Sequence, residues 1–186
     1  MTRRATFAAA VAAATLISAD ASAAQTPAAP DQTRPTARTA SGPESADVEF
    51  IRKAAEGGTK EVEAGKLAAE KASNAEVRAF AKLMVDDHSK SNAELMVLVS
   101  TPAPTPAQTP AADTALSGLS GAAFDRAYMA KMVTDHQATI ELFEAEARDG
   151  KDDAVRKWAA QKLPTIRGHL EKARTLQSKL GQTSSR

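Results

Sequence analysis

The sequence predicts an all-α protein, a four-helix bundle with one long proline-rich connector between its second and third helices. Three observations lead there. Apolar residues recur at three- and four-residue spacing through four segments of about 26 residues, the period of a helix with one buried face. The hydrophobic share is 42% but only 4% of residues are aromatic, so the core is built from alanine and aliphatic side chains, which helices tolerate better than sheets. Two of the three connections are tight and one is long, which suits a bundle.

The elements follow in order. Residues 1–23 carry Arg3 and Arg4, then an uncharged run from Ala5 to Ala19, then Ala21-Ser22-Ala23, the layout of a secretory signal peptide cleaved near Ala23. The run is shorter than the roughly 20 residues that span a bilayer. Residues 24–46 are rich in Ala, Pro, Thr and Ser with almost no large apolar side chain, and read as a disordered tether. The first helix is expected over Asp47 to Ala72, its inner stripe including Ile51, Ala54, Gly58, Val62, Gly65 and Ala68. Glycines inside a helix cost propensity, which points to close packing against a neighbour. The second helix follows Asn74 as N-cap and aligns Val77, Phe80, Met84, His88 and Leu95. Residues 101–120 hold Pro102, Pro104, Pro106 and Pro110 and read as connector rather than element. Such a chain is long enough to leave helices 2 and 3 either parallel, through a crossover, or antiparallel. The third helix runs from Gly121 to a glycine stop at Gly150, with Phe124, Tyr128, Met132, His136, Ile140 and Phe143 on one stripe. The fourth runs from Asp152 to Leu180 and places Trp158, Leu163, Ile166, His169 and Leu170 inward, with Pro164 expected to kink or split it. Residues 181–186 form a tail.

Composition removes several function classes. Lys+Arg number 24 against 23 Asp+Glu, so the electrostatic footprint of a nucleic-acid binder is missing. Without cysteine there is no disulfide, thiolate metal site, thiol nucleophile or lipid-anchoring residue. No phosphate-binding loop or hydrolytic triad is present.

The chemistry-bearing residues are the three histidines, His88, His136 and His169, each on the apolar stripe of a different helix near its middle. Met84-Val85-Asp86-Asp87-His88 echoes Met132-Val133-Thr134-Asp135-His136, placing a methionine one turn before each of the first two histidines. The first helix contributes Glu61 as its inward carboxylate. Counted from the turns, Glu61 and His88 differ in height by about 4.5 Å and His136 and His169 by about 7.5 Å, the second a loose fit. Neutral imidazoles facing an apolar interior are ligands for copper, zinc or iron, and thioethers favour Cu(I). One reading is therefore a metal site of His88, His136 and His169 completed by Glu61, Met84 or Met132, with Asp87, Asp135 and Tyr128 in supporting contact. The other is a metal-free envelope module for a protein partner, its histidines satisfied by Glu61, Tyr128 or each other. The Glu-x-x-His spacing of di-iron bundles is absent, since Val85, Val133 and Ile166 precede the histidines by three.

The segments Glu61-Val62-Glu63-x-Gly65-Lys66-Leu67-Ala68, Phe80-Ala81-x-x-Met84-Val85-x-Asp87-His88, Phe124-Asp125-x-x-Tyr128 with Asp135-His136, and Leu163-Pro164 before His169-Leu170 resemble the exported bacterial family called domain of unknown function 4142. The resemblance covers about residues 47–178. It implies a ferritin-like four-helix fold with no established activity. The third helix is also similar to the domain of unknown function 305 family, whose methionine and paired-histidine motif implies copper; Asp135 stands here in place of the first histidine of that pair. The label "predicted outer membrane protein" that goes with the first family is not matched by alternating strands or a lipid anchor. The sequence reading is thus a soluble periplasmic or secreted bundle, without a membrane span once the signal is removed. It binds a transition metal in envelope stress or metal homeostasis, and is not a hydrolase.

Overall fold

A computed structural model describes residues 45–98 and 114–183. The expected signal peptide, nearly all of the tether, the proline-bearing part of the connector and residues 184–186 lie outside the described residues. The helices are α1 (Ser45–Lys71), α2 (Ala75–Leu98), a short α3 (Thr114–Ser117), α4 (Gly121–Asp149) and α5 (Asp153–Thr183). The four long helices fall where the hydrophobic period puts them. Two bounds differ from expectation. The end of the connector forms α3, because Leu116, a large apolar side chain in that stretch, is buried against the core that holds Phe124. The last helix continues through Thr183, three residues into the expected tail. Pro164 lies within α5 without splitting it.

Helices α1 and α2 form one antiparallel hairpin and α4 and α5 another; α1 packs on α4 and α2 on α5. Their relative direction is set by two buried carboxylates. Asp125, at the start of α4, accepts the backbone N–H groups of Ser73 and Asn74, both at 2.9 Å, and the Ser73 hydroxyl, so α4 begins beside the α1–α2 turn. Asp47, at the start of α1, accepts the N–H groups of Lys151 (2.9 Å) and Asp152 (3.0 Å) in the α4–α5 turn. Helices α2 and α4 therefore run parallel, the crossover arrangement, and α1 and α5 do likewise.

These two clasps are one motif used twice, 78 positions apart (47 to 125, 73 to 151). Asn74 caps Glu76 and Val77, and Asp152 caps Ala154 and Val155. Arg78 donates to the Ala72 carbonyl, and Arg156 to that of Gly150, both at 2.8 Å. Phe80 meets Tyr128 edge-on at 6.4 Å and Phe50 meets Trp158 edge-on at 6.2 Å. The two hairpins are thus related by a pseudo-two-fold, and the echo between His88 and His136 is a separate, local likeness. The helix ends are consequently capped by side chains from across the bundle as well as by their own.

Glycine marks close contacts rather than flexibility. A Cβ at Gly65 would stand 2.9 Å from Val85 Cγ2 and 3.0 Å from the Ala81 carbonyl, so α1 and α2 approach closely there, as the sequence implied. Gly150, expected as a left-handed stop, has φ −54° instead. It is needed for room, since a Cβ would lie 2.7 Å from the Glu146 carbonyl oxygen.

The apolar core is in two parts. One surrounds Phe80, Met84, Phe124, Tyr128 and Met132; the other surrounds Phe50, Leu95, Phe143, Trp158 and Ile166. Between them each long helix contributes an inward polar residue, Glu61 on α1 beside Gly58, His88 on α2, His136 on α4 and His169 on α5, with Val62 and Leu170 as buried apolar neighbours.

The clasp predicts its own deletion cost. Asp125→Ala leaves two part-buried N–H groups of the α1–α2 turn without their acceptor and lowers unfolding free energy by about 1–3 kcal/mol. Glu63→Ala, which removes only an exposed pair with Lys66, changes it by less than about 0.5 kcal/mol. Urea titration followed by circular dichroism reads both.

Candidate metal centre

The polar layer brings the three histidines together. Ring centroids are 5.7 Å apart for His88 and His136, 5.6 Å for His88 and His169, and 5.5 Å for His136 and His169. One ring nitrogen from each lies within 4.8 Å of the others. His136 and His169 are buried, 1% and 4% exposed, and His88 is partly so. The loose height match expected between His136 and His169 does not keep them apart: α4 ends at Asp149 and α5 begins at Asp153, which puts the two histidines 13 and 16 residues from the turn and reduces the mismatch to about 4.5 Å, a gap their side chains span.

Two of the rings are held in a definite tautomer. His136 Nδ1 lies 2.9 Å from the Met132 carbonyl, which can only accept, so the proton is on Nδ1 and Nε2 carries a lone pair. His169 Nε2 lies 2.8 Å from Asp87 Oδ2, which places its proton on Nε2 and leaves Nδ1 as the lone pair. His88 Nε2, His136 Nε2 and His169 Nδ1 are all buried with no hydrogen-bond partner among the described residues. Burial, then the neighbouring imidazoles, push His88 down to about 3 and His136 to about 4. Burial also lowers His169, with Asp87 pulling the other way. All three are neutral near pH 7, the state that binds a cation.

Residues 31–176 match the family described as Domain of unknown function (DUF4142). The chain belongs to that family. Comparison with curated proteins finds no match. Two solved structures share the fold of this DUF4142 chain. A DUF305 protein from Streptomyces coelicolor is 15% identical with a TM-score of 0.63, covering 73% of this chain and 94% of its own. A DUF305 fragment from Deinococcus radiodurans is 18% identical with a TM-score of 0.62, covering 75% and 98%. At that identity the likeness is one of helical architecture.

The other candidate residues of the DUF4142 chain are distributed unevenly about the trio. Asp87 supports a ring, though that of His169 on α5 rather than its sequence neighbour His88. Asp135 is ion-paired to Lys131 at 2.6 Å and hydrogen-bonded to Glu61, with no ring hydrogen bond among the described residues. Glu61 is buried on α1 but outside the convergent set. Burial, with the Asp135 charge and hydrogen bond, pushes it up to about 8, against the pull of Lys131. Tyr128 stacks on Phe124 at 6.2 Å and its buried hydroxyl has no hydrogen-bond partner; burial and the nearby Glu61 raise its pKa. Met84 and Met132 are fully buried in the apolar cluster that adjoins the layer.

Sequence reading did not single out Asp47 and Asp125 as organising residues. The signal was present: Asp47-x-x-Phe50-Ile51-x-Lys53 and Asp125-x-x-Tyr128-Met129-x-Lys131 are the same pattern, as are Val77-Arg78-x-Phe80-Ala81 and Val155-Arg156-x-Trp158-Ala159.

The sign of the Glu61 contribution is testable. Its folded pKa lies above the unfolded value, so the stability it contributes is complete below about pH 4.5 and is lost as pH rises through about 8. Between pH 6 and 8 the metal-free protein loses about 2 kcal/mol relative to Glu61→Gln, which has no such proton to release. Paired urea titrations at the two pH values, in chelator, measure the difference.

Proposed function

We propose that this DUF4142 bundle binds a transition metal, copper, zinc or iron, through His88, His136 and His169. Two observations carry this reading: a ring nitrogen from each of three helices lies within 4.8 Å of the others, and each of the three rings has a buried nitrogen without a hydrogen-bond partner among the described residues. A buried nitrogen without a partner costs free energy, and three at one point are repaid by one cation. The alternative of histidines satisfied by Glu61, Tyr128 or each other finds less support, since the Glu61 carboxyl turns to Asp135 and the three ring nitrogens stay unpartnered.

The donor set fits. Nitrogens bound to one tetrahedral ion at about 2.1 Å stand about 3.4 Å from each other, inside the 4.8 Å that bounds the separations here. His136 and His169 are oriented from behind by the Met132 carbonyl and Asp87, the arrangement that fixes ligand rings and raises their basicity. When bound, copper supplies one-electron chemistry there and zinc supplies Lewis acidity. The chain's own residues keep three rings neutral, aim their lone pairs inward and exclude bulk water on the Met84 and Met132 side. No helix among the described residues is long and apolar enough to cross a membrane. Residues 1–23 support export, placing the bundle in the periplasm or outside the cell in a metal-homeostasis or stress role, and N-terminal sequencing of the protein recovered from fractionated cells tests it.

Two outcomes follow. Titration of the purified chain with Cu(I), Cu(II), Zn(II) or Fe(II) gives one equivalent bound and a raised thermal midpoint, both lost in the His88→Ala, His136→Ala, His169→Ala triple variant. Absence of binding by the intact chain overturns the reading. Asp87→Ala, which frees the His169 ring, weakens affinity by about 10- to 100-fold while leaving stoichiometry at one.

A further inference from the structure

A cavity of about 60 Å³ lies against the histidine cluster and reaches His88 and His169. Its wall also includes Gly58, Ser91 and Ile166, which are the pseudo-two-fold counterparts of His136, His169 and His88. Where the fold repeats the three imidazole positions, the chain thus has a glycine, a serine and an isoleucine, and there the space is. Asn92 covers Gly58 so closely that a Cβ would fall 2.1 Å from its Oδ1, and Thr139 adds a further polar wall.

Charge is the second consideration. The three convergent donors are neutral imidazoles, and no carboxylate belongs to the set. Asp87 acts through His169, and Glu61 is engaged with Asp135. Asp87 and Glu61 also line the cavity, yet Asp87, behind the His169 ring, offsets one charge at most, so a divalent ion on three neutral donors keeps a net positive charge that a further anion would balance. Three ligands also leave one tetrahedral position open.

We infer that the site takes a small exogenous anion of two or three heavy atoms as its remaining ligand, admitted through the cavity beside Ser91. This rests on the metal reading above, and the experiment separates the two. The chain is loaded with Co(II), a spectroscopic substitute for a divalent ion, and titrated with azide while the visible bands are recorded. The expected result is one equivalent of Co(II) bound, followed by a saturable azide-dependent shift. Ser91→Leu, which fills the cavity, retains Co(II) and weakens azide binding at least 10-fold; Ser91→Ala, which leaves the space open, keeps it within about threefold. Should Ser91→Leu fail to fold, Gly57→Leu obstructs the same cavity at a position where a Cβ meets nothing within 4 Å. Full Co(II) binding with no azide response overturns the anion inference and leaves the metal reading standing. An azide response unchanged by the filling variants overturns the assignment of the cavity. Failure to bind Co(II), as well as copper, zinc and iron, overturns the metal reading and this inference with it.

Discussion

The rest of the structure depends on two buried carboxylates holding turns that are not their own. Asp47 and Asp125 each accept two backbone N–H groups from the opposite hairpin, so each helix start is tied to the turn it faces. Hydrophobic burial drives the hairpins together but is nearly indifferent to a one-turn slide of alanine-rich surfaces. A carboxylate bonded to two specific N–H groups is not, because a slide leaves a buried carboxylate without its donors. Close packing at Gly65 fixes register inside the α1–α2 hairpin instead, since Val85 fits against α1 only where the side chain is missing. Register is therefore a polar property of this bundle, and the layer at mid-height inherits it.

That layer is costly. Three ring nitrogens, a Glu61 oxygen and the Tyr128 hydroxyl are buried without partners, in a core whose remaining members are apolar. Each such group destabilises the fold by about 1–3 kcal/mol relative to a satisfied one. A bundle selected for stability alone would fill these positions with leucine. The clasps, caps and the paired aromatic contacts at both ends offset the penalty, leaving the middle free to be polar.

How much of this was legible depends on which physical signal each feature leaves in the chain. The long helices were readable because period 3.6 and the capping residues Asn74 and Asp152 are local. The inward placement of His88, His136 and His169 was readable for the same reason, and so was the close contact at Gly65. Helix direction was not, because a proline-rich connector permits both topologies and the residues that decide between them lie far apart in sequence. Counting heights from the turns made His136 and His169 a loose pair, since each helix boundary lies one residue later than the pattern placed it and the two shifts together close about 3 Å. Glu61 was placed correctly on the inner face, but a stripe does not reveal which partner a carboxyl will choose, and it chose Asp135. The visible echo between Met84-to-His88 and Met132-to-His136 drew attention from the weaker repeat that the fold actually uses.

That weaker repeat explains why the layer is asymmetric. The pseudo-two-fold lies across the helices and exchanges the two ends of the bundle, so equivalent residues share a height only near the middle, where the histidines are. If His136, His169 and His88 were matched by histidines at 58, 91 and 166, six imidazoles would share one cross-section of a narrow bundle, with lone pairs facing lone pairs. Burial already pushes His88 down to about 3 with two neighbouring rings, and further rings would press harder against any charged form. Gly58, Ser91 and Ile166 resolve the conflict by giving one half of the layer the donors and the other half the space. The backbone stays symmetric because its clasps, caps and aromatic pairs need to be, whereas a site for one ion requires that symmetry to be broken.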